Sequence, residues 1–311
     1  MNQPRPEAQA NSAPHTVEVS DGVFAYIQPD GSWYINNTGF LTAADGVVSI
    51  DMCSTERRTR AYLDAIGAIT SAPVRTLVNT HHHGDHTYGN CLLPGATIVG
   101  HARCRDEVLA SGPPRNRGIF ADVEWGALRV APPFLTYETG ITLWAGDLRC
   151  EVRYVGGPAH TTNDSVLWLP DRSVLFAGDL LFNGGTPFLL MGSISGAIDV
   201  LENVVAPLGA RTIVAGHGPV CDEPAVLIAE VLGYLRFVQD VAARGFAAGV
   251  TPLEAALDTD LGRYAGLLDA ERIVGNLHRA YAELGGPAVD VDAGLADMVS
   301  YNGGKPLPCH A

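Results

Sequence analysis

With 311 residues, 47% hydrophobic and 17% charged, the chain has the composition of a globular protein of one large domain or two. Its formal net charge is −14 and 19 of its 20 basic residues are arginine, which excludes the basic footprint nucleic acid requires and gives an anionic membrane no hold. No apolar stretch approaches the roughly 20 residues needed to span a bilayer.

In chain order, residues 1–14 are polar and rich in Pro, Ala and Asn. They lack a charged start followed by an apolar run, so they read as a disordered leader and not a secretory signal, and a cytoplasmic location follows. Thr16–Val19, Val23–Ile27 and Val47–Ile50 read as strands, punctuated by turns at Asp21-Gly22, Asp30-Gly31 and Asp45-Gly46. Residues 55–70 read as a helix with Tyr62, Leu63, Ile66 and Ile69 on one face, and Val74–Asn79 as a short strand. A strand at Ala96–Gly100 and a helix near 102–110 follow. The Pro/Gly/aromatic stretch 111–135 is long for a loop in a compact domain and reads as a lid. Strands resume at Ile141–Trp144, Cys150–Val155, Ser165–Leu169, Val174–Ala177 and Arg211–Val214. From Pro224 the spacing turns helical: Leu227, Val231, Tyr234, Leu235, Val238 and Val241 recur on one face. Thr251-Pro252-Leu253-Glu254 is a capping box, and Asp269–Leu284 reads as a further helix, giving about three helices before a Gly/Pro-containing tail over 286–311. The expected division is a leader (1–14), a catalytic domain (15–222) and a helical extension with tail (223–311).

The six cysteines, at 53, 91, 104, 150, 221 and 309, form no CxxC pair and read as buried free thiols in a reducing compartment. Cys91 and Cys221 fall near the metal candidates and leave room for a supporting role there.

The segment Thr80-His81-His82-His83-Gly84-Asp85-His86 places four metal-competent side chains around one strand end besides His82. His81 and His83, two apart on an extended segment, face one way and suit one ion. Asp85 and His86 lie past the Gly84 turn and suit a second, while His82 points to the opposite face. Further ligands must then come from other strand ends. His160 precedes the strand at Ser165, Asp179 follows the strand ending at Ala177, and His217 stands between glycines after Val214. His81, His83 and His160 would hold one ion and Asp85, His86 and His217 the other, with Asp179 and a water bridging them. A donor set of imidazole and carboxylate without thiolate suits zinc, manganese or iron. His15, His101, His278 and His310 have no such partners in the sequence.

These residues, in this type and order, resemble the metallo-β-lactamase superfamily over residues 16–220. The resemblance implies an α/β fold, an αββα sandwich, here with a C-terminal helical appendage. It also implies two zinc ions with a bridging hydroxide, and Asp51, at a strand end, as the group that orients the ligand shell. Fold alone leaves the substrate open among lactamases, thioester and lactone hydrolases, nucleases and oxidoreductases. Pro187-Phe188, Gly192-Ser193, the segment Leu268–Leu284 and the ending Tyr301-Asn-Gly-Gly-Lys305 resemble the second-ring polyketide cyclases of the actinorhodin type. That similarity implies cyclase and thioesterase chemistry on carrier-bound or related carbonyl substrates, with Asp85 as a candidate base. Trp33, Tyr34, Phe120, Trp125, Phe188 and Met191 are the candidates for an aromatic substrate wall. The expected partner is a small-molecule carbonyl compound, free or carrier-bound. A zinc hydrolase of another thioester, lactone or β-lactam remains open, as does a di-iron oxidoreductase. Gly192-Ser-Ile-Ser-Gly196 fails the serine-hydrolase pattern because its serines occupy the wrong positions.

Overall fold

The computed structural model describes residues 13–311, so residues 1–12 of the expected leader lie outside the described part. Strands β1 (His15–Ser20), β2 (Val23–Ile27), β3 (Thr38–Ala43) and β4 (Gly46–Ile50) form an antiparallel meander. Helix α1 (Glu56–Ile69) then crosses to β5 (Val74–Val78), parallel to β4. The short α2 (Gly84–Thr87), β6 (Thr97–His101), α3 (Ala102–Ser111) and β7 (Leu135–Tyr137) complete a seven-stranded sheet in sequential order. The second sheet is built from β8 (Gly140–Ala145), β9 (Leu148–Tyr154), β10 (Ser165–Leu169), β11 (Val174–Phe182) and β12 (Thr212–His217), in the order β12-β11-β10-β9-β8. Helix α4 (Ile194–Val200) lies between β11 and β12 in sequence, and α5 (Pro224–Ala248), α6 (Pro252–Leu257), α7 (Arg272–Glu283) and α8 (Val291–Tyr301) follow.

Period-two patterning builds the layers. Val23, Ala25 and Ile27 of β2 face inward against Leu167 and Leu169 of β10 and Val174 and Phe176 of β11, closing the two sheets on one another. The alternate residues Phe24 and Tyr26 face outward onto Tyr62 and Ile66 of α1. On the second sheet, Val166, Trp168, Leu175 and Ala177 face outward onto α4, α5 and α7. Every strand near the middle is therefore buried on both faces, which explains near-continuous apolar runs such as Val-Leu-Trp-Leu in β10. The result is the expected αββα sandwich with a C-terminal helical appendage. Those helices share one core with the second sheet, where Ile213 packs in the same cluster as Leu227, Val231, Val238 and Leu277.

Helix α1 starts where the Thr55 side chain accepts from Arg58 N, and its Tyr62 donates to Gly39 O at 2.5 Å from inside the core. The capping box at Thr251 is present in full, with Glu254 reaching back to the Thr251 backbone. Five elements go beyond the sequence reading: α2, β3, β7, α4 and α8. The strand expected to stop at Ala177 runs on to Phe182, because β11 pairs in parallel with β12 as far as Phe182 opposite His217. That pairing is irregular on both sides of Gly178. Among the described residues no helix is long and apolar enough to cross a membrane.

Candidate metal centre

The histidine segment follows β5 at the sheet's C-terminal edge, where side-chain constellations of α/β sheets gather. Its backbone is tied down at several points. Ser165 N donates to Thr80 O at 2.8 Å, joining the ends of the two sheets. Met52 N and Asn79 Nδ2 donate to His86 O at 3.0 and 3.1 Å. The loop does not stay extended past His83: Gly84–Thr87 turns into α2, which carries Asp85 and His86 away from the His81–His83 side.

Two groups of four donors result. His81, His83, His160 and Asp179 form one, and Asp85, His86, Asp179 and His217 the other, each with its ligand atoms within 4.8 Å of one another. Asp179 is common to both. It lies inside β11 and not past a strand end, and two glycines shape its position. Gly178 has a left-handed φ of 52° against Thr80, and a Cβ on Gly216 would overlap Asp179 Oδ1. His217, likewise, is the last residue of β12.

The other nitrogen of four histidines is engaged in a way that fixes the tautomer. His86 Nδ1 donates to Asp51 Oδ2 at 2.8 Å, His160 Nδ1 to Phe188 O at 2.6 Å and His217 Nδ1 to Gly31 O at 3.0 Å. Thr80 Oγ1 donates to Asp51 Oδ2 at 2.7 Å, so His81 Nδ1, 3.0 Å away, donates to Thr80. In all four Nδ1 is committed, which leaves Nε2 as the nitrogen to face an ion, the arrangement that supporting groups impose on metal ligands. Asp51 is also held by Thr80 N at 2.8 Å and sits at φ 57°, a conformation that costs a non-glycine residue about 1–3 kcal/mol.

The donors fit divalent cations on two observations. Among the described residues, His81 Nε2 is buried with no hydrogen-bond partner, and His86 Nε2 and Asp179 Oδ1 have only one another, poorly aligned at 3.1 Å, which costs folding free energy unless something else satisfies them. His83 Nδ1 and His160 Nε2 stand 2.8 Å apart, so the two rings converge on one point. Electrostatics points the same way. Burial, with neighbouring histidines adding to it, holds His81 and His83 well below the usual imidazole range. Burial also penalises charge on His86 and His217, but Asp179 and the other carboxylates outweigh it, pushing His86 well up and His217 up to about 9. Asp179 is held well down, its burial outweighed by His217 and His86. Three carboxylates, Asp51, Asp85 and Asp179, thus call for positive charge in a largely buried site.

One cavity reaches these donors. His83, Asp85, His160, Asp179 and His217 line its floor, and Trp33, Tyr34, Phe120, Phe188 and Met191 its wall. Trp125 is not among the lining residues: its ring stands behind the wall, edge-on to Tyr34 at 5.1 Å and to Tyr88 at 5.8 Å. The stretch 111–135, expected as a lid, contributes Phe120, which a backbone pairing with Leu307 holds in place through Leu307 N to Ile119 O at 2.8 Å and Ala121 N to Leu307 O at 2.9 Å.

Three lining residues escaped the sequence reading: Phe182, Leu295 and Arg272. Arg272 is 2% exposed, with its guanidinium 4.1 Å from the Trp33 ring, 2.9 Å from Asp269 and donating to Thr186 O at 2.9 Å. The available signal was Asp269 three residues ahead of it. His82 leaves the cluster and takes Asn163 Nδ2 at 3.0 Å, and burial pushes it down to about 4. Cys91 and Cys221 stay outside both donor groups, and all six cysteines are free. His278 does have a partner, Asp297 at 2.8 Å, and His101 faces Glu138 O at 3.0 Å.

A family model described as the metallo-beta-lactamase superfamily matches residues 31–217. A hydroxyacylglutathione hydrolase of Rhodospirillum rubrum is 34% identical over 145 residues, covering 45% of this chain and 47% of that protein. The beta-lactamase-like protein 2 homolog of Caenorhabditis elegans is 25% identical over 199 residues, covering 62% and 60%. The chain thus spans about half the length of the curated relatives it matches. Among solved structures, a metallo-beta-lactamase from Pontibacter korlensis superposes with a TM-score of 0.60 at 20% identity, over 72% of this chain and 99% of that one. The DIM-1 metallo-beta-lactamase gives 0.58 at 18% identity, over 73% and 98%. At that identity the likeness is one of fold.

Proposed function

The chain belongs to the metallo-beta-lactamase superfamily, and on that premise we propose that it is a two-metal hydrolase of thioesters. Its substrate is a neutral, ring-bearing acyl group, free or carrier-bound, and cyclisation of a polyketide chain is a companion reaction at the same centre. The observation that carries the proposal is the meeting of two donor groups and an aromatic wall in one cavity.

His81, His83 and His160 would hold one ion, Asp85, His86 and His217 the other, with Asp179 between them. Zinc suits the donors best, and manganese or iron is compatible. A pair of divalent ions there would supply Lewis acidity toward a carbonyl oxygen and lower the pKa of a water. The rest falls to side chains. Asp51 and the Phe188 and Gly31 carbonyls keep His86, His160 and His217 in one orientation. Asp85 lines the cavity and is held below the usual carboxylate range, its burial outweighed by His86 and His217, so it is present as the carboxylate, the form that a base requires, though a weak one. For hydrolysis that proton comes from water. For aldol ring closure it comes from the carbon beside a carbonyl. Phe188, Phe120 and Trp33 give a flat acyl group an apolar surface and thin the water around it.

Asp51→Ala should weaken divalent-ion affinity by about 10–100-fold, because His86 loses its orienting acceptor. Titration against a chromophoric chelator measures this, and unchanged affinity would remove Asp51 from the role.

A second reading follows from the named relatives: a hydroxyacylglutathione as substrate. The cavity lining argues against it. Apart from the histidines, its one cationic side chain is Arg272, already paired with Asp269, so the carboxylates of glutathione meet no free positive group. A side-by-side assay decides. The N-acetylcysteamine thioester of a naphthoic acid should be hydrolysed with the highest kcat/KM, above a hydroxyacylglutathione, a lactone and a β-lactam. If the glutathione thioester or the β-lactam leads, the neutral-acyl reading is wrong.

A further inference from the structure

Tyr34 departs from what a wall residue needs. It lies on the loop between β2 and β3 with φ 61°, a left-handed conformation that no side chain of its shape prefers. The loop is pinned on both sides of it. Ser32 Oγ donates to Asp269 at 2.6 Å, Trp33 Nε1 to Glu271 at 2.7 Å, and Ile35 N to Ser32 O at 3.0 Å. The Tyr34 ring is fixed as well, edge-on to Phe120 at 5.2 Å and to Trp125 at 5.1 Å. Backbone and ring are therefore both committed to one orientation, and Tyr34 lines the cavity that His83, Asp85 and His160 floor.

The hydroxyl has no hydrogen-bond partner among the described residues, and the Tyr88 phenol and Asp85 carboxylate are the polar groups that act on it most. A phenylalanine would fill the same wall without a polar group to satisfy. A phenol keeps its proton at neutral pH and so can donate. A donor held rigid, half-buried and without a partner at a reactive cavity is arranged for a ligand oxygen.

Resting on the hydrolase reading, we propose that Tyr34 is a catalytic residue whose hydroxyl donates a hydrogen bond to the substrate's carbonyl oxygen and holds that oxygen as negative charge collects on it. No bond to Tyr34 forms and no proton leaves it. The role is positional and electrostatic, and it serves hydrolysis and enolate formation alike, since both gather charge on the same oxygen.

Tyr34→Phe keeps the ring, its edge contacts and the backbone conformation, and removes only the donor. With the best thioester of the panel, kcat/KM should fall by about 100-fold, with a lower kcat and a KM raised by no more than the roughly tenfold of one net hydrogen bond, and melting temperature and metal content should match wild type. Unchanged kcat would reduce Tyr34 to a wall residue and overturn the proposal. A binding comparison tests the same point without turnover. Tryptophan fluorescence of the full-length protein as purified is titrated with 2-acetylnaphthalene and with 2-ethylnaphthalene, which differ in one carbonyl oxygen. Tyr34→Phe should lose about tenfold in affinity for the ketone and nothing for the hydrocarbon, the size of one net hydrogen bond. Equal ketone affinity in the two proteins overturns the proposal. If wild type turns over none of the panel, the hydrolase reading fails while the ketone comparison still decides Tyr34.

Discussion

Asp179→Ala should abolish turnover while leaving a folded protein. Asp179 is the one residue shared by both donor groups, so its loss damages two ion sites at once. Its surroundings leave no substitute: Gly178 and Gly216 flank it closely, and no other carboxylate belongs to the His81, His83 and His160 group. The fold should survive because the sheets are closed by Phe176, Leu167 and their partners, not by this carboxylate. His86 also keeps Asp51 at 2.8 Å. A fall on the order of 10³-fold or more in kcat/KM is expected, at or beyond the loss of a single charge-stabilising donor. Melting curves and circular dichroism run beside the kinetics separate this from unfolding. Activity within tenfold of wild type would refute a shared bridging role.

The second large effect is on metal removal. Purified protein should contain about two equivalents of a divalent ion, and chelation should lower the melting temperature by roughly 10 °C. At an ion concentration about 100 times the dissociation constant, each site contributes about 2.7 kcal/mol to stability, and 1 kcal/mol shifts a midpoint by roughly 2–4 °C in chains of moderate size. The donors make the effect specific. His81, His83, Asp85 and His86 come from the end of the first sheet, and His160, Asp179 and His217 from the second, so bound ions bridge the two layers. Without them, buried unpartnered nitrogens and crowded carboxylates remain. Readdition of zinc should restore the midpoint. Identical curves with and without chelator, together with an absence of metal after reconstitution, would end the metal-hydrolase reading.

Much of the candidate site was legible because its residues are improbable where they stand. Four histidines and an aspartate in six positions have no ordinary structural use, and His160 and His217 sit beside strands of unmistakable β-branched character. Asp179 was found for a reason that needed revision. Gly178 looks like a strand terminator, yet it sits within β11, where its left-handed backbone makes the irregularity that shapes Asp179's position. Strand β3 was missed because Thr-Gly-Phe-Leu-Thr-Ala alternates poorly. Its Gly39 is dictated from the other sheet, since a Cβ there would strike the Phe176 ring. Helix α8 was hidden by its Gly, Ala and Asp content, although Asp290 caps it by accepting from Ala293 N. Arg272 was only faintly legible, through Asp269 three residues ahead of it. Its burial depends on Trp33 and Thr186, both far away in sequence, and local periodicity is silent about such contacts.

The division of donors between two sheets also sets a timetable. His217 follows His86 by 131 positions. At synthesis rates of about 5–20 residues per second, the first four donors leave the ribosome roughly 7–26 s before the last one does. During that interval only His81, His83, Asp85 and His86 of the seven donors are available. Asp179 and the second sheet then arrive and the layers close. An ion that needs both donor groups could therefore be held only once the second sheet has closed on the first.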